Sequence, residues 1–440
     1  MNDPATLLPL TASRNPDGAL LIGGCALPDL AERFGTPLYV YDAATLHAQA
    51  QAYHAALAAY PGPSRVTYAA KAWLCTATAQ WAQAAHLGLD VVSAGELAIA
   101  LAAGFVAGDI HLHGNNKNAA TLVAALEAGV GCVVVDHAAE LALLHDLAAA
   151  RGQRQRIWLR VNPAVEAATH SHTRTGHAAS KFGVALHDGS AEVLAGAALA
   201  LPWVELTGLH CHIGSQLFDP GPLARAAGLL VDLAARLHQT VGWQPVALSV
   251  GGGWGAAYTV DQAAALPPLA DYVVAVVEAV VAGCGRAALP LPQLVLEPGR
   301  SLVARGGVAV YRVGALKQAG ETRYAFVDGG LADNPRPALY GAAYSVLLAN
   351  RRDEGDLQTV DIAGPYCESG DVLLRGAVLP RLRAGDLLAV PAAGAYQLSM
   401  AGNYNAALRP AVVWVERGRA LLIQRRETLA DLLRRDLIEV

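Results

Sequence analysis

The stretch Val66-Thr-Tyr-Ala-Ala-Lys71-Ala, VTYAAKA, ends a run of β-branched, aromatic and small residues on a lysine. Desolvation in such surroundings lowers an amine's pKa, and a neutral amine is the nucleophile that Schiff-base chemistry needs. A lysine snorkelling from a strand end into water fits the stretch equally well. Two glycine clusters sharpen the question: VGGGWG holds Gly251, Gly252 and Gly253, and EPGR holds Glu297, Gly299 and Arg300. Backbone N–H groups at such turns bind phosphate, although glycines also make tight turns for their own sake. HCH sets His210 and His212 two apart, a spacing that shares one face of a strand and suits a metal. HSH, with His170 and His172, lies in a polar stretch and reads as solvated or structural.

Elements must bring these residues together. Short β-type runs occur at VTYAA, LDVVS, IHLHG, CVVVD, IWLRVN, LTGLHCHIG, ALSVGGG and LVLEPG. Between them lie Ala/Leu-rich segments with helical spacing, such as TATAQWAQAAHLG, AGELAIALAAG and NAATLVAALEAG, several closing on a glycine suited to a helix C-cap. Strand and helix alternate through all eight runs, the pattern of a parallel (β/α)8 TIM-like barrel rather than an open sheet. Lys71, Asp90, Ser93, His113, Asp136, Arg160, His212, the three glycines and Glu297 fall in or at the ends of these strands, the face on which barrels build active sites. After about residue 305 the runs turn β-type: GGVAVYRVGAL, TRYAFVDGG, TVDIAG, DLLAVPAAGAY and AVVWVERGRALLIQRR, the last with a turn at Glu416-Arg-Gly-Arg. This predicts an all-β second domain, Greek-key or sandwich-like, joined by the N-terminal strand PLYVYD ending at Asp42. The barrel is expected over 40–304, and the β domain over 1–39 and 305–440.

On a barrel, turns after the seventh and eighth strands commonly bind phosphate. With a lysine ending strand one, they suggest a phosphorylated cofactor that reacts with an amine, and pyridoxal 5'-phosphate fits. Its ring nitrogen needs a carboxylate partner to stay protonated; Glu297 is placed for that, the other reading being an ion pair with Arg300. A metal-dependent barrel hydrolase is the rival, but its site needs more ligands on neighbouring strand ends, which here carry glycines, a Lys and a Glu. No metal is expected. His212 is instead expected flat against the cofactor ring, with Ser215 of HIGSQ contributing to the phosphate.

Composition narrows the class. The chain has 440 residues, 54% hydrophobic and 16% charged, enough for two domains or one large barrel with an addition. A net charge of -5 with scattered basic residues gives no stripe for nucleic acid, so small molecules are the expected partners. The most apolar segment, YVVAVVEAVVAGC from Tyr272, contains Glu278 and is short for a bilayer, and MNDPATLLPL lacks a basic n-region, so a cytoplasmic protein without membrane partners is expected. Six cysteines without a CxxC pair point to reduced thiols.

Together FGTPLYVYD, YAAKA, GLDVVSAGEL, HGNNK, LRVNP, SKFG, HCHIGSQ, VGGG, EPGR, DNPRPALYGA, CESGD and GAYQLSMAGNYN resemble the diaminopimelate decarboxylases of the alanine-racemase-like (type III) group of pyridoxal phosphate enzymes, across almost the whole chain. HIGSQ and EPGR are shared with ornithine and arginine decarboxylases, whereas CESGD with DNPRPALYGA is more selective. The resemblance implies decarboxylation of meso-2,6-diaminopimelate to L-lysine and carbon dioxide, the last step of lysine biosynthesis. It implies that Lys71 carries the cofactor, that Glu297 pairs with the pyridine nitrogen, and that Asp90 and His212 complete the ring site. Gly252, Gly253, Gly299, Arg300, Ser215 and Tyr396 would surround the phosphate. Arg300, Arg336, Tyr340, Glu368 and Tyr396 would bind substrate, Arg336 and Tyr340 at the distal carboxylate and Glu368 at the distal amine. Cys367 would be the proton donor, entering with Glu368 from the other subunit of a homodimer with shared active sites, and Lys181 and Asp371 would pair between subunits. Two departures, Trp254 after the triple glycine and Gln397 after the tyrosine of GAY, touch side-pocket shape and not chemistry. A type III decarboxylase acting on ornithine, arginine, carboxynorspermidine or a carrier-bound substrate is the alternative. Polyamine-type enzymes have no use for Arg336, racemases of the group usually set arginine where Glu297 stands, and a non-catalytic homologue should lack Lys71 or Cys367.

Overall fold

The computed structural model describes residues 4–166, 180–352 and 355–437; His170 and His172 lie outside them. The chain forms two compact units, one of residues 50–255 and 267–299, the other of 1–49, 256–266 and 300–440. The stretch 256–266, inside the span expected for the barrel, groups with the second unit.

In the first unit eight parallel strands close on themselves: β1 (Ser64–Ala69), β2 (Gly88–Val91), β3 (Ile110–Leu112), β4 (Cys132–Val135), β5 (Gln155–Asn162), β6 (Val204–His210), β7 (Ala247–Ser249) and β8 (Gln293–Leu296), with β8 pairing back onto β1. All eight coincide with the β-type runs of the sequence. Helices follow them as the spacing predicts, over Thr76–Ala84, Ala94–Ala102 and Ala119–Ala128. Gly129 is left-handed at φ 70°, a true C-cap, whereas after Thr76–Ala84 His86 takes the positive φ and Gly88 opens β2. Ser93 caps its helix by accepting from Glu96 N–H at 3.2 Å, and the Glu96 carboxylate accepts from Val92 N–H at 2.7 Å.

Val260–Ala287 corrects the expectation based on shortness: it holds an 18-residue window of mean hydropathy 1.7, long and apolar enough by length and composition to cross a membrane. Its longer helix, Leu269–Ala287, has Tyr272, Val273, Val276, Val277 and Val280 buried on one stripe. Gly283 lets it approach the helix Gly221–Val241 closely, since a Cβ there would lie 2.9 Å from Val231.

The second unit is built on a mixed sheet. Leu38–Asp42 pairs antiparallel with Gly307–Ala319 and parallel with Ala411–Glu416, so the N-terminal strand does join the C-terminal part. Thr322–Val327, Leu357–Ala363, Val372–Pro380 and Leu387–Val390 extend the sheet. The turn at Arg417-Gly418 has φ of 50° and 76°, the two positive values of a tight I′ hairpin. Leu38, Val40, Val308, Val310, Ala389, Val413 and Val415 form this unit's core. Short helices such as Arg336–Tyr340 and a three-stranded sheet over residues 13–26 lie in it besides.

Inside the barrel Trp158 of β5 needs room that only glycine on β6 leaves: a Cβ at Gly208 would lie 2.7 Å from Trp158 Cδ1 and 2.6 Å from Ala247 O. Gly208→Ala is expected to destabilise the protein by about 1–3 kcal/mol through overpacking. Urea unfolding followed by tryptophan fluorescence measures this, and an unchanged midpoint would mean that the interior relaxes around the methyl group.

Candidate active site

The barrel interior changes character along its strands. Cys132, Val134, Trp158, Ala247 and Val295 make an apolar layer. Two residues further along the same strands come Asp136, Arg160, Ser249 and Glu297, and alternate residues of a strand share a face. The strands that supply the apolar floor therefore supply the polar row toward the C-terminal ends.

Glu297, 6% exposed, is the centre of that row. Its N–H donates to Gly251 O at 2.8 Å, fixing it one step past β8. Ser249 Oγ donates to Oε1 at 2.6 Å, and His210 Nε2 lies 2.9 Å from Oε2. The register explains the pair, since His210 is paired with Ser249 across β6 and β7. Burial, and after it the charge of Asp90, push Glu297 up to about 7 against the pull of His113 and Ser249. Burial and then Arg160 hold His210 well below the ordinary histidine value, so it is a neutral imidazole.

Asp90 of β2 is paired with His111 of β3, and His113 lies two further on. Asp90 Oδ1 is 3.3 Å from His111 Nδ1 and 3.4 Å from His113 Nε2. Burial opposes ionisation of Asp90, but His113 and His111 outweigh it and hold the carboxyl well below its usual range. The His113 ring meets His210 edge-on at 5.0 Å, and His111 leans on Trp158 at 4.4 Å. Asp90, His111, His113 and Glu297 bring four ligand-type atoms within 4.8 Å of one another, a different set from the His210 and His212 that the sequence offered to a metal. Both oxygens of Glu297 are already engaged, by Ser249 and His210, and Asp90 faces two imidazoles.

Lys71 stands on the one-turn helix Ala70–Ala72 directly after β1. Ala70 and Ala72 are buried and Lys71 is exposed, the arrangement of a lysine that snorkels from a strand end. Gly252 lies where backbones touch, since a Cβ would be 2.2 Å from Glu297 O. Gly253, at φ 117°, could not carry a side chain without strain. Gly252 N–H donates to His212 Nδ1 at 3.3 Å, orienting that imidazole. Ser215 is half-buried in the loop after β6, which is tied to the loop after β7 by Leu217 N–H to Gly253 O and Gly255 N–H to Leu217 O, both 3.0 Å. Gly299 packs beside β1, its would-be Cβ 3.1 Å from Ala69. Trp254 is buried edge-on to Tyr53 at 5.8 Å, so this departure is core packing. Glycine backbone beside a lysine and a carboxyl that titrates near neutrality fits a phosphorylated aromatic aldehyde with a basic ring nitrogen.

The other residues named from the sequence lie in the second unit. Arg336 begins a one-turn helix reached through Asp333, whose carboxylate takes hydroxyls from Tyr39 at 3.0 Å and Tyr311 at 2.6 Å, and Gly330 N–H at 2.8 Å. Burial lifts Asp333 to about 6 against those hydrogen bonds. Arg336 is buried among phenols: it donates to Tyr344 and lies 4.7 Å from the Tyr258 ring centroid. Tyr340, half-buried, is four residues on and so on the same face of the turn. Arg300 donates to Tyr258 Oη at 2.6 Å and lies 4.6 Å over the Tyr396 ring. Tyr396 holds φ 65°, a conformation a bulky residue keeps only where its surroundings enforce it. Gln397, the second departure, is fully buried.

Cys367 and Glu368 lie on the exposed turn before Val372, with Cys367 N–H donating to Asn405 Oδ1 at 3.1 Å and Gly370 N–H to Glu368 Oε1 at 3.3 Å. The Lys181–Asp371 pair is expected between two subunits; within the single chain Asp371 bonds to main chain. It is 3% exposed, and its oxygens accept from Leu331 N–H at 2.7 Å and Tyr366 N–H at 2.9 Å, which ties its turn to the segment around Leu331. Lys181 lies 4.9 Å over the Phe182 ring.

Sequence reasoning missed His111, Ser249, Tyr258 and Tyr344. The first two had a signal, each lying two residues before a strand-end position already singled out (His113, Gly251). Tyr258 and Tyr344 had none, being brought to the arginines only by the fold.

Residues 43–304 match the model of the family described as pyridoxal-dependent decarboxylase, pyridoxal binding domain. The chain is 44% identical to diaminopimelate decarboxylase of Bacillus subtilis, covering 97% of both chains, and 43% identical to that of Corynebacterium efficiens, covering 98% of this chain and 94% of the relative. Among solved structures it is similar to diaminopimelate decarboxylase from M. jannaschii in co-complex with L-lysine, with a TM-score of 0.92, 33% identity and 98% of each chain covered. The glycine-lined strand ends, the buried Glu297 and the full-length likeness lead to one assignment: the chain belongs to the pyridoxal-dependent decarboxylases, in the diaminopimelate decarboxylase family, and its cofactor is pyridoxal 5'-phosphate.

Proposed function

We propose that the protein decarboxylates meso-2,6-diaminopimelate to L-lysine and carbon dioxide, as the last step of lysine biosynthesis, in the cytoplasm and as a homodimer with shared active sites. The observation that carries the substrate is Arg336: a buried guanidinium caged by phenols, with no carboxylate ion-paired to it among the described residues, is a receptor for a ligand's carboxylate. Ornithine and arginine offer no carboxylate at the distal end.

Bound pyridoxal phosphate supplies an electron sink conjugated to the substrate's α-carbon. Lys71 would hold the cofactor's aldehyde carbon. Glu297 would face the ring nitrogen, its charge set by Ser249, His210 and the neighbouring Asp90, and His212, oriented by Gly252 N–H, would cover the ring. By likeness to the family, Gly252, Gly253, Gly299, Ser215, Arg300 and Tyr396 would take the phosphate. Arg300, Arg336, Tyr340 and Tyr396 would orient the substrate, and Glu368 its distal amine. As the bond from the α-carbon to the carboxylate breaks and carbon dioxide leaves, Cys367 would give the α-carbon a proton and recover one from solvent. Its exposed turn supports delivery into a partner subunit's site, and six unpaired cysteines suit a reducing compartment.

Glu297 makes a test that needs no turnover. Its folded-state pKa near 7 exceeds the unfolded value, so the cofactor-free protein binds an extra proton and loses stability as pH rises from about 4.5 to about 7. Glu297→Gln should flatten that slope, by up to the order of 3 kcal/mol across the window, in urea titrations of apoprotein. A parallel slope in both proteins would remove Glu297 as its source.

Arg336→Ala should lower kcat/KM for meso-diaminopimelate by about 2–4 kcal/mol while cofactor absorbance stays at the parent's level. Parental activity in this variant would rule out Arg336 at the distal carboxylate. Lys71→Ala and Cys367→Ala proteins should each be nearly inactive, yet mixing them under subunit exchange should restore up to about a quarter of the activity through one intact site per heterodimer. Exchange without recovery would place Lys71 and Cys367 of one chain in one site.

A further inference from the structure

We propose that Tyr258 is a specificity-determining residue: its phenol couples Arg300 and Arg336 into one receptor for the carboxylate that the substrate keeps. The inference rests on the reading of Arg336 given above.

Tyr258 is 3% exposed, its hydroxyl accepts from Arg300 Nη1 at 2.6 Å, and its ring lies beside the Arg336 guanidinium at 4.7 Å to the centroid. The Tyr344 ring, whose hydroxyl accepts from Arg336, meets it edge-on at 5.2 Å. Its backbone is fixed from two sides, N–H donating to Gln262 Oε1 at 2.9 Å and the carbonyl accepting from Ser345 N–H at 3.0 Å. One residue thus touches both arginines and is locked to the segment that follows the Arg336 helix.

The chemistry explains why a phenol stands there. Two buried guanidiniums in one cluster repel each other, and a carboxylate between them would neutralise them and remove their attraction for a ligand. A phenol oxygen accepts a hydrogen bond and an aromatic face attracts a cation, so the pair is held in place with its positive charge intact. Burial alone would push the Tyr258 phenol up, yet Arg300 and Arg336 together bring it below its ordinary value, a measure of the positive field a ligand meets.

Tyr258→Phe keeps the ring and removes the oxygen on Arg300. The test measures, on holoenzyme of parent and variant, KM and kcat for meso-diaminopimelate and the inhibition constants of L-lysine, which has the retained carboxylate, and cadaverine, which lacks it. Loss of a hydrogen bond to a charged group should weaken L-lysine by about tenfold or more and leave cadaverine within about twofold. KM should rise by more than kcat falls, with cofactor absorbance unchanged. Equal weakening of both inhibitors, as from general disruption, overturns the inference, and so does an L-lysine constant equal to the parent's. A parent enzyme that neither turns over meso-diaminopimelate nor binds L-lysine overturns the underlying reading instead, which separates the two failures.

Discussion

A carboxylate inside a barrel must have its oxygens met, because an unpaired buried charge costs several kcal/mol, a large share of a protein's stability. Glu297 is met by Ser249 on one oxygen and His210 on the other, and those three residues sit where the registers of β6, β7 and β8 put them. Much else follows from keeping that arrangement. Gly251 accepts the Glu297 N–H, Gly252 must lack a side chain to pass the Glu297 carbonyl, and the same turn orients His212. The catalytic layer and the strand ends are thus one hydrogen-bonded construction.

Charge is distributed by placing acids among imidazoles. Asp90 faces His111 and His113 and ionises readily, whereas Glu297, with Asp90 nearby, resists ionisation. Two carboxyl groups in one layer are driven to opposite protonation tendencies, which leaves Glu297 adjustable at neutral pH. In the second unit Asp333 plays a mechanical part: two tyrosine hydroxyls hold it, and it holds the turn into Arg336.

The barrel was legible because each strand is a compact β-type run set apart by a helical segment, and because polar residues gathered at the run ends. Lys71, Glu297, His212 and the glycines were visible for that reason. The short strands over residues 13–26 left no trace, being two or three residues each, too few for a period to register. Val372–Pro380 was hidden by its glycine and arginine in mid-run. The exposure of Lys71 and the commitment of Asp371 to backbone N–H groups depend on where neighbouring main chain runs, which residue types do not encode. Tyr258 was invisible because its meaning arises only when 256–266 leaves the barrel's grouping.

That departure has a consequence for taking the protein apart. The unit with the arginines is woven from three stretches, 1–49, 256–266 and 300–440, and Tyr258 is carried on the eleven-residue middle one. Neither terminal stretch of that unit encodes it, and a fragment starting at 300 brings Arg300 and Arg336 without the phenol that touches both. The barrel can be bounded by two cuts, but only with 256–266 still threaded through its sequence. The unit that holds Arg300, Tyr258 and Arg336 therefore cannot be moved as a contiguous cassette, and transplanting it onto a related barrel means exchanging three segments together.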